Sequence, residues 1–306
     1  MGSQRSRPGT RSGASASLEK HVAVTDRIIA QLEAGCAPWV RPWSQSRVPT
    51  NAFTHRPYRG ANIVALWMTQ TIEAYPTAEW LSFRQALHLG GNVRKGEHGT
   101  PIFFYSVLER DDERAKDGVR AVPLLRSYTV FNVAQCDGLP VSEVTETRSE
   151  FERLEDTEDF LFAVGATVRL GGDQAFYSPS TDAITLPAFE QFETPEHYYG
   201  TSLHEHGHWT GAKHRLAREF GKRFGDDAYA FEELIAELTS AFLCAELEIG
   251  GNLRHPEYLS HWVRILRSDT KAILSAGARA SEAADYLARL AGRRVTDVDE
   301  SAEDAA

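Results

Sequence analysis

The stretch "TSLHEHGHWTGAKHRL", residues 201–216, places His204, Glu205, His206, His208 and His214 within eleven positions. His204 and His208 are four apart, so on a helix they share one face and can offer nitrogens to a single zinc ion. Glu205 lies beside them, and can accept a proton from a water whose pKa zinc lowers to about 7. This H-E-x-x-H spacing points to metal-assisted hydrolysis, with Glu205 as the catalytic group that accepts the proton. Leu203 and Trp209 flank it as apolar anchors, and Gly207 permits a neighbouring backbone to come close. Upstream, "DAITLP" (182–187) predicts an edge strand, which can hold an extended peptide by main-chain pairing. Two blander readings stand beside this one: a metal site without catalysis, and a surface helix that carries histidines.

Two stretches compete for the third ligand. His204, His208, Gly211 and His214 satisfy H-E-x-x-H-x-x-G-x-x-H, in which the glycine lets the last histidine turn back to the metal. The rival is "AYAFEELIAELTSAFLCAEL" (228–247), where Phe231, Leu234, Ile235, Leu238 and Phe242 form an apolar stripe. Glu233, Glu237, Ser240 and Cys244 fall on its other side with Ala236, so a second helix can pack there and meet two carboxylates. That suits a gluzincin-like HExxH...E site: Glu233 as ligand and Glu237, one turn later, orienting a histidine. Glu233 is favoured over His214 and Glu237. The chain has no methionine after Met68, so no metzincin Met turn can follow, and "KHRLAREFGKR" (213–223) reads as a surface turn. Zinc is the expected ion, although Mn2+ or another divalent metal also suits two histidines and a carboxylate.

Helical and strand periodicities supply the elements that must position these groups. Helices are predicted over 18–35, 61–72, 80–89, 152–164, 228–248 and 256–290, besides the histidine helix. "NVRKGEHGTPIFFYSVLER" and "VPLLRSYTVFNVAQC" predict two strands of a hairpin, and "ATVRLGG", "QAFYSPS" and "DAITLP" three short strands. The prolines at 38, 42, 49 and 57 exclude a long helix or a central strand between residues 36 and 60.

The fold class is therefore α+β in two domains: a small mixed α/β domain, then a helix-rich, zincin-like domain with a short sheet. The boundaries fall as a basic arm (1–17), a first domain (18–140), a linker (141–150), a metallopeptidase-like domain (151–292) and an acidic tail (293–306). Charge divides along the same line. Residues 1–140 carry 17 Lys and Arg against 12 Asp and Glu, net +5, while 141–306 carry 16 against 31, net −15. Such a split is expected when one module meets a polyanion and the other does not. No apolar run is long enough to span a bilayer. The three scattered cysteines form no disulfide framework and fit a reducing cytoplasm.

Four of the six tryptophans lie before residue 81. Trp39, Arg41 and Trp43, then Arg56, Tyr58 and Arg59, interleave cations with aromatic rings, and Arg94-Lys95 extend the track. Single-stranded nucleic acid calls for that combination, because cations meet phosphates and rings stack on unpaired bases. Each of Trp39, Trp67 and Trp80 taken singly is as readily explained as core.

Taken in order, "APWVRPWS", "NAFTHRPYRGANIVALW", "WLSFRQALHLGGNVRKGEHGTPIFFY", "HEHGHWTG" and "YAFEELIAELTSAFLCAEL" resemble the ArdC-type antirestriction proteins of plasmids and other mobile elements, over roughly residues 18–290. The resemblance implies an N-terminal single-stranded-DNA-binding domain, a C-terminal zincin-like metallopeptidase domain, and protection of incoming DNA from host restriction during conjugative transfer. It places His204 and His208 at the family's metal ligands, Glu205 at its catalytic acid, and the glutamates of "FEELIAEL" in a family motif. A protein substrate or restriction component is implied as a partner alongside the DNA. His206 departs from the apolar residue expected there, and would perturb metal choice or face outward. Two alternatives remain: a non-catalytic single-strand binder with a structural metal, and a DNA-independent peptidase that cleaves a regulator.

Overall fold

The computed structural model describes residues 13–39, 47–111, 119–140, 149–218, 227–249 and 256–293. Helix α1 (Gly13–Glu33) starts earlier than its pattern predicts, and Ser17 within it meets Ser127 at 3.1 Å. Its stripe of Val24, Ile28, Ile29 and Leu32 is buried. After β1 (Thr50–Asn51), Gly60 opens α2 (Ala61–Ile72), which lies against β4 (Thr100–Asp111). There the Asn62 side chain donates to the Phe103 carbonyl at 2.9 Å and accepts from the Phe103 amide at 2.8 Å.

The predicted helix over 80–89 is half strand: β2 (Glu79–Ser82) precedes a short α3 (Phe83–His88). Trp80 and Leu81 are drawn into the sheet core, and Ser82 with Gln85 forms a capping box that starts the helix. Strand β3 (Asn92–Val93) pairs later with β6 (Cys136–Asp137), while β4 and β5 (Val119–Asn132) form the expected antiparallel hairpin. The four-stranded sheet runs β1-β2-β5-β4, parallel only between β1 and β2.

In the second half, a Ser149–Glu152 capping box starts α4 (Glu150–Val164), and left-handed Gly165 ends it. Strands β7 (Thr167–Leu170), β8 (Phe176–Ser178) and β9 (Ala183–Leu186) form a sheet in the order β7-β9-β8. "DAITLP" is thus the central strand, parallel to β7 and antiparallel to β8, and the expected edge position belongs to its neighbours. Ile184 and Leu186 on this strand are fully buried. Helices α5 (Pro195–Thr210) and α6 (Asp227–Glu246) cross closely. The stretch 256–290 divides into α7 (Pro256–Ser268) and α8 (Ala272–Leu290), parted by a turn in which Asp269 accepts from the Lys271 amide.

The largest buried cluster draws on both sides of the polar linker. Trp39, Trp67, Trp80 and Ile102 join Leu234, Phe242, Trp262 and Ile273 in it. No described helix is long and apolar enough to cross a membrane.

Candidate metal centre

Helix α5 begins where the Thr194 hydroxyl accepts from the His197 amide, with Pro195 at its first turn. Its inner face meets α6 at Gly207, where an added Cβ would lie 3.1 Å from the Ala236 Cα. The small face of α6 makes this approach possible, and Ser240 donates to the Gly200 carbonyl at 2.8 Å. The predicted stripe of α6 turns away from α5, with Leu234, Ile235, Leu238 and Phe242 buried in the shared core.

Three polar groups converge in the space between the two helices. The Nε2 atoms of His204 and His208 are 3.1 Å apart, and each lies 3.5 Å from an oxygen of Glu233. A tetrahedral cation with bonds of about 2.0–2.1 Å holds its ligand atoms roughly 3.4 Å apart, so this donor set fits a divalent ion. The backs of both rings also face carboxylates of α6. Glu237 lies 3.5 Å from His204 Nδ1, and Glu232 lies 3.5 Å from His208 Nδ1. Glu205 is buried, and its Oε2 has no hydrogen-bond partner among the described residues.

Electrostatics follow from this crowding. Burial opposes charge on His204, but Glu233 and Glu237 outweigh it and raise its pKa to about 10. His208 is likewise raised, to about 9, by Glu232 and Glu233 against burial. Burial works against the Glu233 carboxylate too, yet the two imidazoles hold its pKa well below the usual range. A pocket that recruits protons this strongly is one in which a divalent cation can replace them.

His206 faces inward instead of outward: its Nδ1 donates to the Ser202 carbonyl at 2.7 Å, and burial lowers its pKa to about 4. His214 is directed elsewhere. Its ring is 63% exposed and reaches Asp182 at 3.2 Å. Gly211 keeps an ordinary helical φ of −74°, so the chain makes no left-handed turn there to bring His214 back. The expected surface turn 213–223 also hides two cations. The Arg215 side chain is only 5% exposed, stacks over Trp209 at 3.7 Å and pairs with Asp182, while Arg218 forks onto Glu232 with contacts of 2.7 and 3.0 Å. Glu232 and Arg218 were not singled out in the sequence, and no helical spacing links them.

The predicted DNA track scatters. Trp39 is 2% exposed and meets Trp262 edge-on at 5.5 Å. Tyr58 is buried, receives the Asn51 amide at 3.2 Å and has its pKa raised by that burial. Arg59 pairs with Asp285 of α8. Arg56, Arg94 and Lys95 are exposed, although Arg94 also meets Glu97 at 2.7 Å. Arg41 and Trp43 lie outside the described residues. Sequence reading overlooked the exposed Phe83 and the Phe53–His88 ring pair, 5.2 Å apart.

Two histidines one turn apart on one helix, a glutamate from the next and a three-stranded sheet beside them define a zincin-like metallopeptidase domain. Residues 155–279 match the zincin-like metallopeptidase family, and residues 19–131 match the N-terminal domain of anti-restriction factor ArdC. Crystal structures of the antirestriction protein ArdC from plasmid R388 superpose on this chain at 38% identity. The metal-free form has a TM-score of 0.75 and spans 90% of this chain and 99% of that one. The Mn(II)-bound form has a TM-score of 0.73, with 89% and 97% covered. Protein y4eC of Sinorhizobium fredii is 41% identical over 276 residues, 86% of this chain and 90% of that protein. The DNA primase TraC of Escherichia coli is 38% identical over 289 residues, which are 87% of this chain but 27% of the primase. The chain belongs to the ArdC family of antirestriction proteins.

Proposed function

We propose that the protein holds single-stranded DNA on its N-terminal half and hydrolyses a protein met on that DNA, so shielding incoming DNA from restriction in the cytoplasm. The observation that carries the reading is the meeting of His204, His208 and Glu233 at 3.1–3.5 Å, with Glu205 next to His204 in the chain. Zinc, or manganese as in the Mn(II)-bound relative, would supply Lewis acidity there by polarising a carbonyl and acidifying water. Glu205 takes the proton of the attacking water at its carboxylate and passes it to the leaving amine. Glu237, behind His204 Nδ1, fixes the tautomer and orientation of that ring. Strand β8, at the sheet edge beside α5, offers main-chain groups to an extended peptide.

Glu205→Gln tests the hydrolytic step. It is expected to keep metal and DNA binding and to abolish protection of transferred DNA. Full protection by that variant supports the second reading, a single-strand binder whose metal is structural. The burial of the cluster, with Glu205 only 6% exposed, favours that alternative.

For DNA, support comes from the basic first half and from its exposed groups. Arg56, Arg84 and Lys95 supply charge, and Phe83 and the Phe53–His88 pair supply rings. Removing the charge at Arg56 or Lys95 is expected to weaken binding and reduce the salt slope by about 0.7 per charge. Phe83→Ala should cost about 1–3 kcal/mol of affinity if a base stacks there. Arg59→Ala should lower thermal stability and leave the salt slope unchanged, because its partner is Asp285. Unchanged titrations for Arg56, Lys95 and Phe83 together would move the track to another surface.

A further inference from the structure

We propose that Glu232 and Arg218 are positioning residues for the metal centre. The Arg218 guanidinium holds the Glu232 carboxylate where it accepts the Nδ1 proton of His208, which aims Nε2 of that ring at the ion. The inference rests on the metal-centre reading above and extends it to a pair that contributes no ligand atom.

Arg218 and Glu232 are both buried, with side chains only 4% exposed. Arginine Nε lies 3.0 Å from Glu232 Oε2, and a terminal nitrogen lies 2.7 Å from Oε1. A planar fork of this kind fixes the plane of the carboxylate as well as its position. The remaining donors reach back to α5, to Thr210 Oγ1 at 2.8 Å and the Gly207 carbonyl at 2.7 Å. One guanidinium therefore references a carboxylate of α6 to the helix that carries His208. Glu232 Oε1 is the same oxygen that lies 3.5 Å from His208 Nδ1.

Stability is a poor explanation for the pair, since a buried ion pair can often be replaced by apolar groups at no loss. Need is greater at His208 than at His204: its side chain is 12% exposed against 3%, so water can compete for its outer nitrogen. The two rings are thus backed in different ways. His204 Nδ1 faces Glu237, and His208 Nδ1 faces a carboxylate clamped by an arginine.

The test uses full-length protein, Zn(II) with a competing chromophoric chelator, and nitrogen-15 NMR of the zinc-loaded imidazoles. Glu232→Gln is expected to weaken zinc binding roughly 10- to 100-fold, as loss of such a partner commonly does. Arg218→Met should weaken it by a similar factor. The double variant keeps the volume without leaving a buried charge, and should bind no worse than Glu232→Gln, because Arg218 acts only through Glu232. In each variant the His208 Nδ1 proton should lose its downfield, carboxylate-bonded shift, while that of His204 stays. Zinc affinities within about twofold of wild type, single-variant losses that multiply in the double variant, or equal shifts at both rings would each overturn the assignment. Wild-type protein that takes up no zinc would instead sink the metal reading itself.

Discussion

The carboxylates around His204 and His208 favour protons on these rings for the same reason that they can favour a cation between them. Raised above 6.5, the two histidines contribute stability below that pH and lose it as pH climbs towards about 9–10. Glu233, lowered from 4.5, contributes above that value and loses its share as pH falls. The cluster therefore braces the metal-free protein most fully between pH 4.5 and 6.5. A bound ion takes over from the departing protons, so the rise in Tm on adding zinc should grow from about pH 6 to about pH 9. A rise independent of pH would mean that the histidines do not exchange protons for metal. Glu233→Ala should lose most bound zinc and His214→Ala little, as measured by metal content after desalting; the reverse would make His214 the ligand. Helical spacing made His204, Glu205, His208, Glu233 and Glu237 legible in the sequence, because each pair lies on one helix. Glu232 was hidden because it precedes Glu233 by one residue, about 100° round the helix. Its partner Arg218 arrives through a turn that no periodicity encodes.

At the scale of elements, the centre depends on how closely α5 and α6 cross. Gly207 sits against Ala236 and Thr239, with a virtual Cβ at 3.1 and 3.4 Å from them. Gly207→Val should push the helices apart, cost about 1–3 kcal/mol by overpacking and weaken zinc binding. Thermal melts and zinc titration check it: lost stability with unchanged zinc affinity would show that the ligand geometry tolerates a wider crossing. Hydrophobic patterns revealed most helices, α2 (61–72) with both its ends. The misplaced start of α3 carried its own signal, since Ser82-Phe83-Arg84-Gln85 is a capping-box sequence whose helix begins after Ser82. Strand order is another matter. β9 pairs with β7 and β8 across different loops, and nothing local to "DAITLP" distinguishes a central strand from an edge.

Across the whole molecule, the charge split suggests two bodies, whereas the apolar residues knit the halves together. Trp39 meets Trp262, and Trp67 meets Phe242 at 6.0 Å. Along α8, residues 277, 281 and 285 face the start of α2: the Gly60 amide donates to Ser281 Oγ at 2.9 Å, and Arg59 pairs with Asp285. A Cβ on Gly277 would come within 2.8 Å of the Gly60 carbonyl carbon and 3.0 Å of the Ala61 Cα. Both are backbone atoms that cannot swing aside. Gly277→Val should therefore force α2 off α8 and cost about 1–3 kcal/mol, towards the upper end of overpacking effects. Because Leu234 and Leu238 share this core with the N-terminal half and lie on the helix that carries Glu233, the loss cannot stay local. Calorimetry of the full chain should show one transition that the substitution lowers as a whole, with zinc uptake and oligonucleotide binding lost at the same temperature. Two resolved transitions, of which Gly277→Val moves only one, would establish that the halves fold independently and that the seam is a contact between finished domains.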